Sequence, residues 1–199
     1  LPFMSYFGDS IARVLLNVSL DNLSDFRESY LLQLKTLFND SQIISDKMPH
    51  NFRYVGLIAA AFPEAKIVHV RRNPAATCWA NYRTYFESEA LGYSFSLDNI
   101  LDYYECYSDI MSFWSKSLTT RIYNIDYELL TINQEEETRK LINYLGLEWE
   151  PRCLNPQNNE NSIRTASSFQ VRQKVYKGSS DLWKNYKPFL NGKLDHFEN

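Results

Sequence analysis

The most constraining feature of the sequence is a short β-branched run that leads directly into a helix start. Residues 66–70 read Lys-Ile-Val-His-Val, an apolar run with polar flanks that is typical of a strand. Arg71 and Arg72 follow, and then Asn73 and Pro74, which are residue types favoured at the N-cap and in the first turn of a helix. A strand that gives way to a helix within three residues predicts an α/β unit.

Helices and strands alternate along the rest of the chain. By the spacing of apolar residues, the predicted helices are 24–38 with Ser24 as N-cap, 51–61, 74–86, 96–114 starting at Ser96, 133–145, and a short one around Leu182, Trp183 and Tyr186. The predicted strands are 42–45, 66–70 and 121–125. This order predicts one domain over residues 1–199, a three-layer αβα sandwich with a short central parallel sheet covered on both faces.

Polar groups follow each predicted strand, at the edge where parallel sheets bind ligands. They are Asp46 and Lys47 after the first strand, Arg72 after the second, and Asp126, Tyr127 and Glu128 after the third. Arg72 stands beside a predicted helix N-terminus, whose dipole and backbone N–H groups favour an anion, and its planar guanidinium suits phosphate oxygens. The sequence predicts an anion site at this edge. The alternative is an arginine that serves only the fold.

Glycine spacing limits how a phosphate is held. The chain has six glycines, and no two of them are close neighbours. This excludes the GxGxxG and GxxxxGK[ST] loops, which need clustered glycines so that the backbone can approach a phosphate. A nucleotide site in this chain is therefore built differently, or is incomplete.

The formal net charge of −3 conceals a strong local pattern. Basic residues outnumber acidic ones in segments 46–86 and 152–187, whereas acidic residues dominate segment 87–116 between them. Either the two basic segments converge on one anionic ligand, or their charges are simply exposed to solvent on the faces of separate helices.

Several classes of protein are disfavoured. No charge-free stretch approaches the ~20 residues of a membrane helix, and Asp9 and Arg13 interrupt the N-terminal segment where a signal peptide is apolar. The three cysteines are widely spaced, which predicts free thiols, and the three histidines lack zinc-ligand spacing. We expect a cytoplasmic chain without a metal, and without nucleic acid or membrane as a partner.

Two separated segments resemble PAPS-dependent sulfotransferases, most closely the bacterial and tyrosylprotein branch. The first, 46–74, contains a Lys-x-Pro loop at 47–49, a Phe-Pro-x-Ala-Lys turn at 62–66 and the strand that ends in arginine. The second, 165–186, resembles the C-terminal segment that covers the cofactor. The resemblance implies a P-loop NTPase-like sulfotransferase fold with PAPS as cosubstrate, adenosine bisphosphate as product and a hydroxyl or amine as acceptor.

The resemblance also implies roles for individual residues. Arg72 is expected to bind the ribose-linked phosphate of the nucleotide, with Tyr127 nearby. Lys47 is expected to neutralise charge on the transferring sulfuryl group, and Ser167 to donate a hydrogen bond there. In-line transfer of a charged group needs positioning and positive charge more than covalent chemistry.

Further cofactor contacts follow from the resemblance. The family's phosphate-binding serine eight residues after the arginine is Ala80 here, so Asn81 or Thr84 is expected to supply the missing donor. The segment from 167 to 176 is expected to close over the cofactor. Its predicted contacts are Gln170, Val171 and Tyr176.

The chain departs from the family at its beginning. The family's first strand and its Pro-x-Ser-Gly-Thr-Thr phosphate loop are absent, and Leu1-Pro2 matches the pair that follows the general base. We therefore expect a domain that lacks its N-terminal strand, phosphate loop and base, with weak or no activity as supplied and a possible tendency to self-associate. The alternative is a non-catalytic module of the same fold that binds a nucleotide or anion. A kinase relative is disfavoured, because no Walker-type loop or acidic metal site is found.

Overall fold

A computed structural model describes residues 20–38, 43–87, 89–159 and 172–198. The chain divides into an N-terminal unit that extends to Ala65 and a C-terminal unit that begins at Lys66. Each unit has a cluster of buried apolar side chains of its own. The single domain predicted over 1–199 stays a prediction, because two compact units of this size can belong to one domain or to two.

Aromatic packing holds the N-terminal unit together. Its helices are α1 (Leu20–Phe38), a 3-10 helix (Pro49–Tyr54) and α2 (Val55–Ala61). Phe26 of α1 is only 2% exposed and packs edge-on against Phe62, with 5.8 Å between ring centroids. Arg27 donates a hydrogen bond to the carbonyl of Ala61 at 2.9 Å and pairs with Glu64 at 2.5 Å. These contacts fix α1 against the end of α2.

Two predictions for this unit are wrong. Ser24 lies inside α1 rather than at its N-cap, since the helix already includes Leu20. Of the predicted strand 42–45, residue 42 lies outside the described residues, and 43–45 has no regular secondary structure; Ile43 is 65% exposed. An apolar run becomes a strand only when a neighbouring strand takes up its backbone hydrogen bonds, and the sheet of the described residues has two strands, neither of which includes 43–45.

The C-terminal unit is built on a parallel pair of strands. β1 (Ile67–Arg71) and β2 (Ile122–Asp126) pair in register from Ile67 opposite Ile122 to Arg71 opposite Asp126. Each strand lies within one residue of its predicted position. The α/β fold class with a short parallel sheet is therefore confirmed.

Helices connect and follow the strands. They are α3 (Pro74–Tyr82), a 3-10 helix (Glu89–Phe95), α4 (Leu97–Ser117), α5 (Tyr127–Ile132), α6 (Gln134–Leu145) and the 3-10 helices Pro151–Leu154, Pro156–Asn158, Leu182–Phe189 and Asp195–Phe197. The predicted caps are confirmed, because Asn73 accepts from the N–H of Ala76 at 2.9 Å and Ser96 from that of Asn99. Gly146 ends α6 at a φ of 72°, in the left-handed region that glycine tolerates best.

One helix is shorter than predicted. α3 ends at Tyr82, whereas the sequence predicts a helix through Phe86. The hydroxyl of Thr84 donates to the carbonyl of Ala80 at 2.7 Å, which is the carbonyl that the Thr84 N–H takes in a continuing helix. The Thr84 N–H bonds to the carbonyl of Asn81 instead, at 3.2 Å. Local competition by a threonine side chain accompanies the end of the helix.

The core of the C-terminal unit joins distant parts of the chain. Trp183 is 1% exposed and belongs to one buried cluster with residues of α3 and α4. The members of that cluster are Ala75, Ala76, Cys78, Leu97, Ile100, Trp183, Leu190 and Leu194. Burial of a large aromatic ring is the strongest single anchor in such a core. The C-terminal segment is thereby fixed beside the start of α3.

The sheet is less covered than predicted. Val68 and Val70 of β1 are 37% and 55% exposed, so the prediction that helices cover both faces is wrong for this strand. Tyr144 of α6 donates hydrogen bonds to the carbonyls of Ile67 and Arg121, at the amino ends of the strands. A helix anchored there leaves the later residues of β1 exposed.

The predicted free thiols are confirmed, since Cys78, Cys106 and Cys153 form no disulfide. Burial raises the pKa of the Cys78 thiol to about 12, so this group stays protonated at neutral pH. In the parts of the chain that the structure describes, no helix is long and apolar enough to cross a membrane. The same residues contain no group of three or more His, Cys, Asp or Glu side chains that could hold a metal ion.

Candidate functional site

Three segments of the C-terminal unit meet at the carboxyl ends of the two strands. One follows β1 and contains Arg72 and Asn73, and another is the first turn of α5 with Tyr127 and Glu128. The third segment is 178–180, just before the buried Trp183. Side-chain hydrogen bonds connect all three. This cluster, Arg72, Tyr127, Glu128, Ser179 and Ser180, is called the strand-end cluster below.

Arg72 is the centre of the strand-end cluster. Its Nε donates to the hydroxyl of Ser180 at 3.1 Å, and its Nη2 donates to the carbonyl and hydroxyl of Ser179 at 3.0 and 3.3 Å. The guanidinium carbon lies 4.9 Å from the centroid of the Tyr127 ring, within the range of a cation–π contact. Within the described ranges, Nη1 of Arg72 has no hydrogen-bond acceptor. The guanidinium is held at one edge and leaves the other available.

Tyr127 is positioned by the end of β2. The side chain of Asp126 accepts the N–H of Leu129 at 2.9 Å, so the strand turns into α5 at this point and Tyr127 is the first helical residue. The hydroxyl of Tyr127 lies 2.9 Å from that of Ser179. Tyr127 therefore contacts Arg72 through its ring and the C-terminal segment through its hydroxyl.

Glu128 links the three segments. Its Oε1 accepts the backbone N–H of Asn73 at 3.1 Å and also accepts a short hydrogen bond from the hydroxyl of Ser180. In the parts of the chain that the structure describes, no carboxylate lies within ion-pair distance of Arg72. The charge of Glu128 is satisfied by neutral donors, and the positive charge of Arg72 is not cancelled by a direct partner.

The cluster also lies at the start of α3. The amino end of a helix carries a partial positive charge, and a guanidinium beside it increases the attraction for an anion. Asn73 caps this end by accepting the N–H of Ala76. The arrangement is suited to hold an anion such as a phosphate, to which the N–H groups of Nη1 can donate charge-assisted hydrogen bonds.

Lys47 belongs to the N-terminal unit. It is exposed, on the segment without regular structure that precedes the first 3-10 helix. The neighbouring Asp46 accepts a hydrogen bond from the hydroxyl of Tyr30 at 2.6 Å. Burial raises the pKa of Tyr30, and the bond to Asp46 raises it further. The loop of Lys47 is thus attached to α1 through its neighbour.

The other predicted site residues have varied positions. Asn81 donates to the carbonyl of Thr77 at 3.2 Å, and Thr84 donates to that of Ala80, so both expected donors bond to carbonyls of α3. Tyr176 is half exposed. Their roles stay predictions. Ser167, Gln170 and Val171 lie outside the described residues.

Two members of the strand-end cluster, Ser179 and Ser180, escaped the sequence reasoning, and Glu128 was predicted only as a polar residue at the end of the third strand. Ser179 and Ser180 are 107 and 108 residues away from Arg72 in sequence, and Glu128 is 55 away from Asn73. For the serines, Gly178 indicates a turn in the sequence, and its φ of 86° agrees with one, but a turn does not single out these two residues. Glu128 stands beside Tyr127, but nothing in the sequence indicates what its carboxylate accepts.

Comparison with known proteins adds a family to this geometry. The sequence model of the family described as "Sulfotransferase family" matches residues 16–151. The chain belongs to the sulfotransferase family. The matched region of this sulfotransferase-family chain includes Lys47, Arg72, Tyr127 and Glu128, and it ends before Ser179. The predicted family is thereby confirmed, and its bacterial and tyrosylprotein branch stays a prediction.

A relative was also found. A protein of Aquifex aeolicus (strain VF5), described as an uncharacterized protein, is 35% identical over 170 residues. The alignment covers 84% of this sulfotransferase-family chain and 22% of that protein. The chain therefore spans about a fifth of the length of this relative.

Proposed function

We propose that this sulfotransferase-family chain binds PAPS and transfers its sulfuryl group to a hydroxyl or amine acceptor. The observation that supports it most is the position of Arg72. Its guanidinium is fixed by Ser179, Ser180 and Tyr127, at the start of α3 and inside the family-matched region, and Nη1 has no acceptor among the described residues.

Arg72 suits the ribose 3′-phosphate of the nucleotide. A phosphate dianion needs donors and positive charge that are already in place, since ordering them on binding costs affinity. Arg72 meets this need because its Nε and Nη2 are bonded to Ser180 and Ser179, while no described residue accepts from Nη1. PAPS, when bound, supplies the activated sulfuryl group. Lys47 is proposed to neutralise charge on that group, as an ammonium suits a point-charge role.

No segment of the given sequence matches the Pro-x-Ser-Gly-Thr-Thr loop that the family resemblance assigns to the second phosphate. A preorganised phosphate cradle is a major source of affinity and rate in reactions of this type. We therefore expect low turnover from this chain and propose that nucleotide binding is its more readily measured property.

A non-catalytic module that binds a nucleotide is the second candidate. The observation in its favour is at α3, where Ala80 lacks a hydroxyl and both Asn81 and Thr84 donate to helix carbonyls. Formation of adenosine bisphosphate from PAPS, followed across a panel of hydroxyl and amine acceptors, separates the two. Nucleotide binding without any product supports the module.

Titration calorimetry with adenosine bisphosphate tests the proposal. The unaltered chain is expected to bind, and Arg72→Ala is expected to weaken binding by about ten- to hundredfold, the range for hydrogen bonds to a charged group. Arg139→Ala is the matched control, because Arg139 pairs with Glu135 on the surface of α6. Absence of binding by the unaltered chain overturns the nucleotide assignment, and an equal affinity in Arg72→Ala overturns the role of Arg72.

A further inference from the structure

We propose that Glu128 is a positioning residue that acts through Ser180 to hold Arg72 ready for a phosphate, an inference that rests on the proposed function. The evidence is a continuous path of hydrogen bonds in the strand-end cluster. It leads from the backbone of Asn73 through the carboxylate to the serine hydroxyl and then to the guanidinium.

The hydroxyl of Ser180 has one hydrogen and two lone pairs to share. Its hydrogen is donated to Glu128, and its lone pairs accept the Nε–H of Arg72 at 3.1 Å. A carboxylate can only accept, so it fixes the direction in which this hydroxyl donates. Glu128 thereby makes Ser180 a dedicated acceptor for Arg72.

Glu128 is itself held in place by the backbone. The same Oε1 accepts the N–H of Asn73 at 3.1 Å, and Asn73 is fixed in turn as the N-cap of α3. Both bonds to the carboxylate are charge-assisted, a class about twice as strong as bonds between neutral groups. The carboxylate is therefore a rigid reference point between the end of β1 and the C-terminal segment.

The serine arrives at this point because of a turn and an anchor. Asp181 donates its N–H to the carbonyl of Gly178 at 3.1 Å, and Gly178 itself adopts a left-handed φ of 86°, which glycine tolerates best. Trp183 is buried two residues further on. Ser179 is itself buried and accepts from Nη2 of Arg72. One edge of the guanidinium is thus occupied by Ser179 and Ser180, and among the described residues Nη1 has no hydrogen-bond acceptor.

The first test compares two nucleotides. Ser180→Ala is expected to weaken adenosine bisphosphate binding by about three- to tenfold, the size of one net hydrogen bond. Adenosine 5′-monophosphate, which lacks the ribose 3′-phosphate, is expected to bind both proteins equally. Ser180→Thr restores a hydroxyl and is expected to recover affinity, and Ser108→Ala on the exposed face of α4 is the matched control. Equal losses for both nucleotides contradict a role through Arg72.

A double-mutant cycle tests whether the serine acts through the arginine. In an Arg72→Ala background, Ser180→Ala and Glu128→Gln are each expected to have no further effect on bisphosphate affinity. Glu128→Gln keeps the size of the side chain and alone is expected to weaken binding by a factor similar to that of Ser180→Ala. A full additional loss in the Arg72→Ala background overturns the inference.

A measurement on the unliganded protein separates this inference from the proposed function. Hydrogen exchange of the Arg72 Nε–H, followed by nitrogen NMR, is expected to be slow in the unaltered chain and faster in Ser180→Ala and Glu128→Gln. An unaltered chain that fails to bind adenosine bisphosphate overturns the proposed function and the inference with it. If the unaltered chain binds adenosine bisphosphate and Ser180→Ala changes neither the affinity nor the exchange rate of the Arg72 Nε–H, the inference is overturned and the proposed function stands.

Discussion

The segments around Arg72 and Lys47 contrast in how each cation is held. Arg72 has hydrogen bonds to two serines and lies over the Tyr127 ring, at the junction of a strand and a helix. Lys47 is exposed on a segment without regular structure, where the neighbouring Asp46 is tied to α1 by Tyr30. The difference indicates a division of work, in which the cation proposed for binding is preorganised and the one proposed for transfer is held only through its neighbour.

The largest effect is expected when Arg72 loses its rigid surroundings and so comes to resemble Lys47. Trp183→Ala removes the buried ring that anchors segment 178–180, and loss of such a ring costs about 3–5 kcal/mol of unfolding free energy. Urea denaturation measures the loss. Arg72 also loses its serine partners, so we expect weaker adenosine bisphosphate binding in whatever fraction remains folded.

Phe189 provides the control for that substitution. It belongs to the same 3-10 helix and is 80% exposed, so Phe189→Ala is expected to change the unfolding free energy by no more than about 0.5 kcal/mol. Similar losses in the two variants contradict the assignment of Trp183 as the anchor.

The next effect separates the proposed role of Arg72 in nucleotide binding from that of Lys47 in sulfuryl transfer. Lys47→Met removes the charge proposed to face the sulfuryl group, so PAPS is expected to bind about ten- to hundredfold more weakly. Adenosine bisphosphate lacks that group and is expected to keep its affinity. Competition binding with the two nucleotides provides the measurement, and Lys35→Met on the exposed face of α1 is the control. Equal weakening of both nucleotides contradicts the division of work.

A smaller effect tests how the Lys47 segment is held. Tyr30→Phe keeps the ring among Phe26 and Phe62 and deletes the hydroxyl that donates to Asp46, at an expected cost of about 1 kcal/mol. The pKa of Tyr30 is raised in the folded protein, whereas the unfolded chain loses this proton near pH ~10. The unaltered protein therefore exceeds Tyr30→Phe in free energy of unfolding by a constant amount below pH ~10, and this difference declines above that pH.

Denaturation of both proteins at several pH values from neutral to strongly alkaline measures this difference. Other tyrosines that titrate at high pH are common to the two proteins and cancel in the comparison. A difference that grows with rising pH contradicts the bond between Tyr30 and Asp46.

The smallest effect concerns one histidine in each unit. Burial lowers the pKa of both His50 and His69 below 6.5. At His50 the positive charge of Arg53 lowers the pKa further. At His69 the hydrogen bond to Asn124 opposes the shift, and the positive charge of Arg71 adds to it. The unfolded chain therefore binds more protons than the folded one in this range, and stability falls as the pH drops below 6.5. His50→Asn and His69→Asn are each expected to reduce this acid-side loss in denaturation curves. If the free energy of unfolding falls as steeply with decreasing pH in a variant as in the unaltered protein, the burial of that histidine ring is contradicted.

Local chemistry explains what was predictable from the sequence. The start of α3 follows from Asn73 and Pro74, and that of α4 from Ser96, because a cap is made by residues within one turn. β1 and β2 were found because their β-branched runs lie between polar residues. The anion site at the cationic end of β1, predicted from Arg72 and the helix start that follows it, stays a prediction.

The missing strand and the missed serines have a common cause in contacts between distant residues, whereas the early end of α3 is a local effect of Thr84. The segment 43–45 has the composition of a strand, but strand formation depends on a partner that composition does not specify. Ser179 and Ser180 joined the strand-end cluster through the burial of Trp183 and the charge of Glu128. Serines beside a glycine are common in ordinary turns, so the sequence offered no reason to select these two.

The bond between Arg72 and Ser180 also sets the order in which the protein matures. It joins residues 108 positions apart, so it closes a long loop whose entropy cost must be met before the contact stabilises anything. The strand pair and α3 to α6 are complete in sequence by Leu145, well before Ser180 is synthesised. Arg72 therefore gains its serine partners only after residues 179 and 180 have been synthesised, later than both strands and the residues that cap α3.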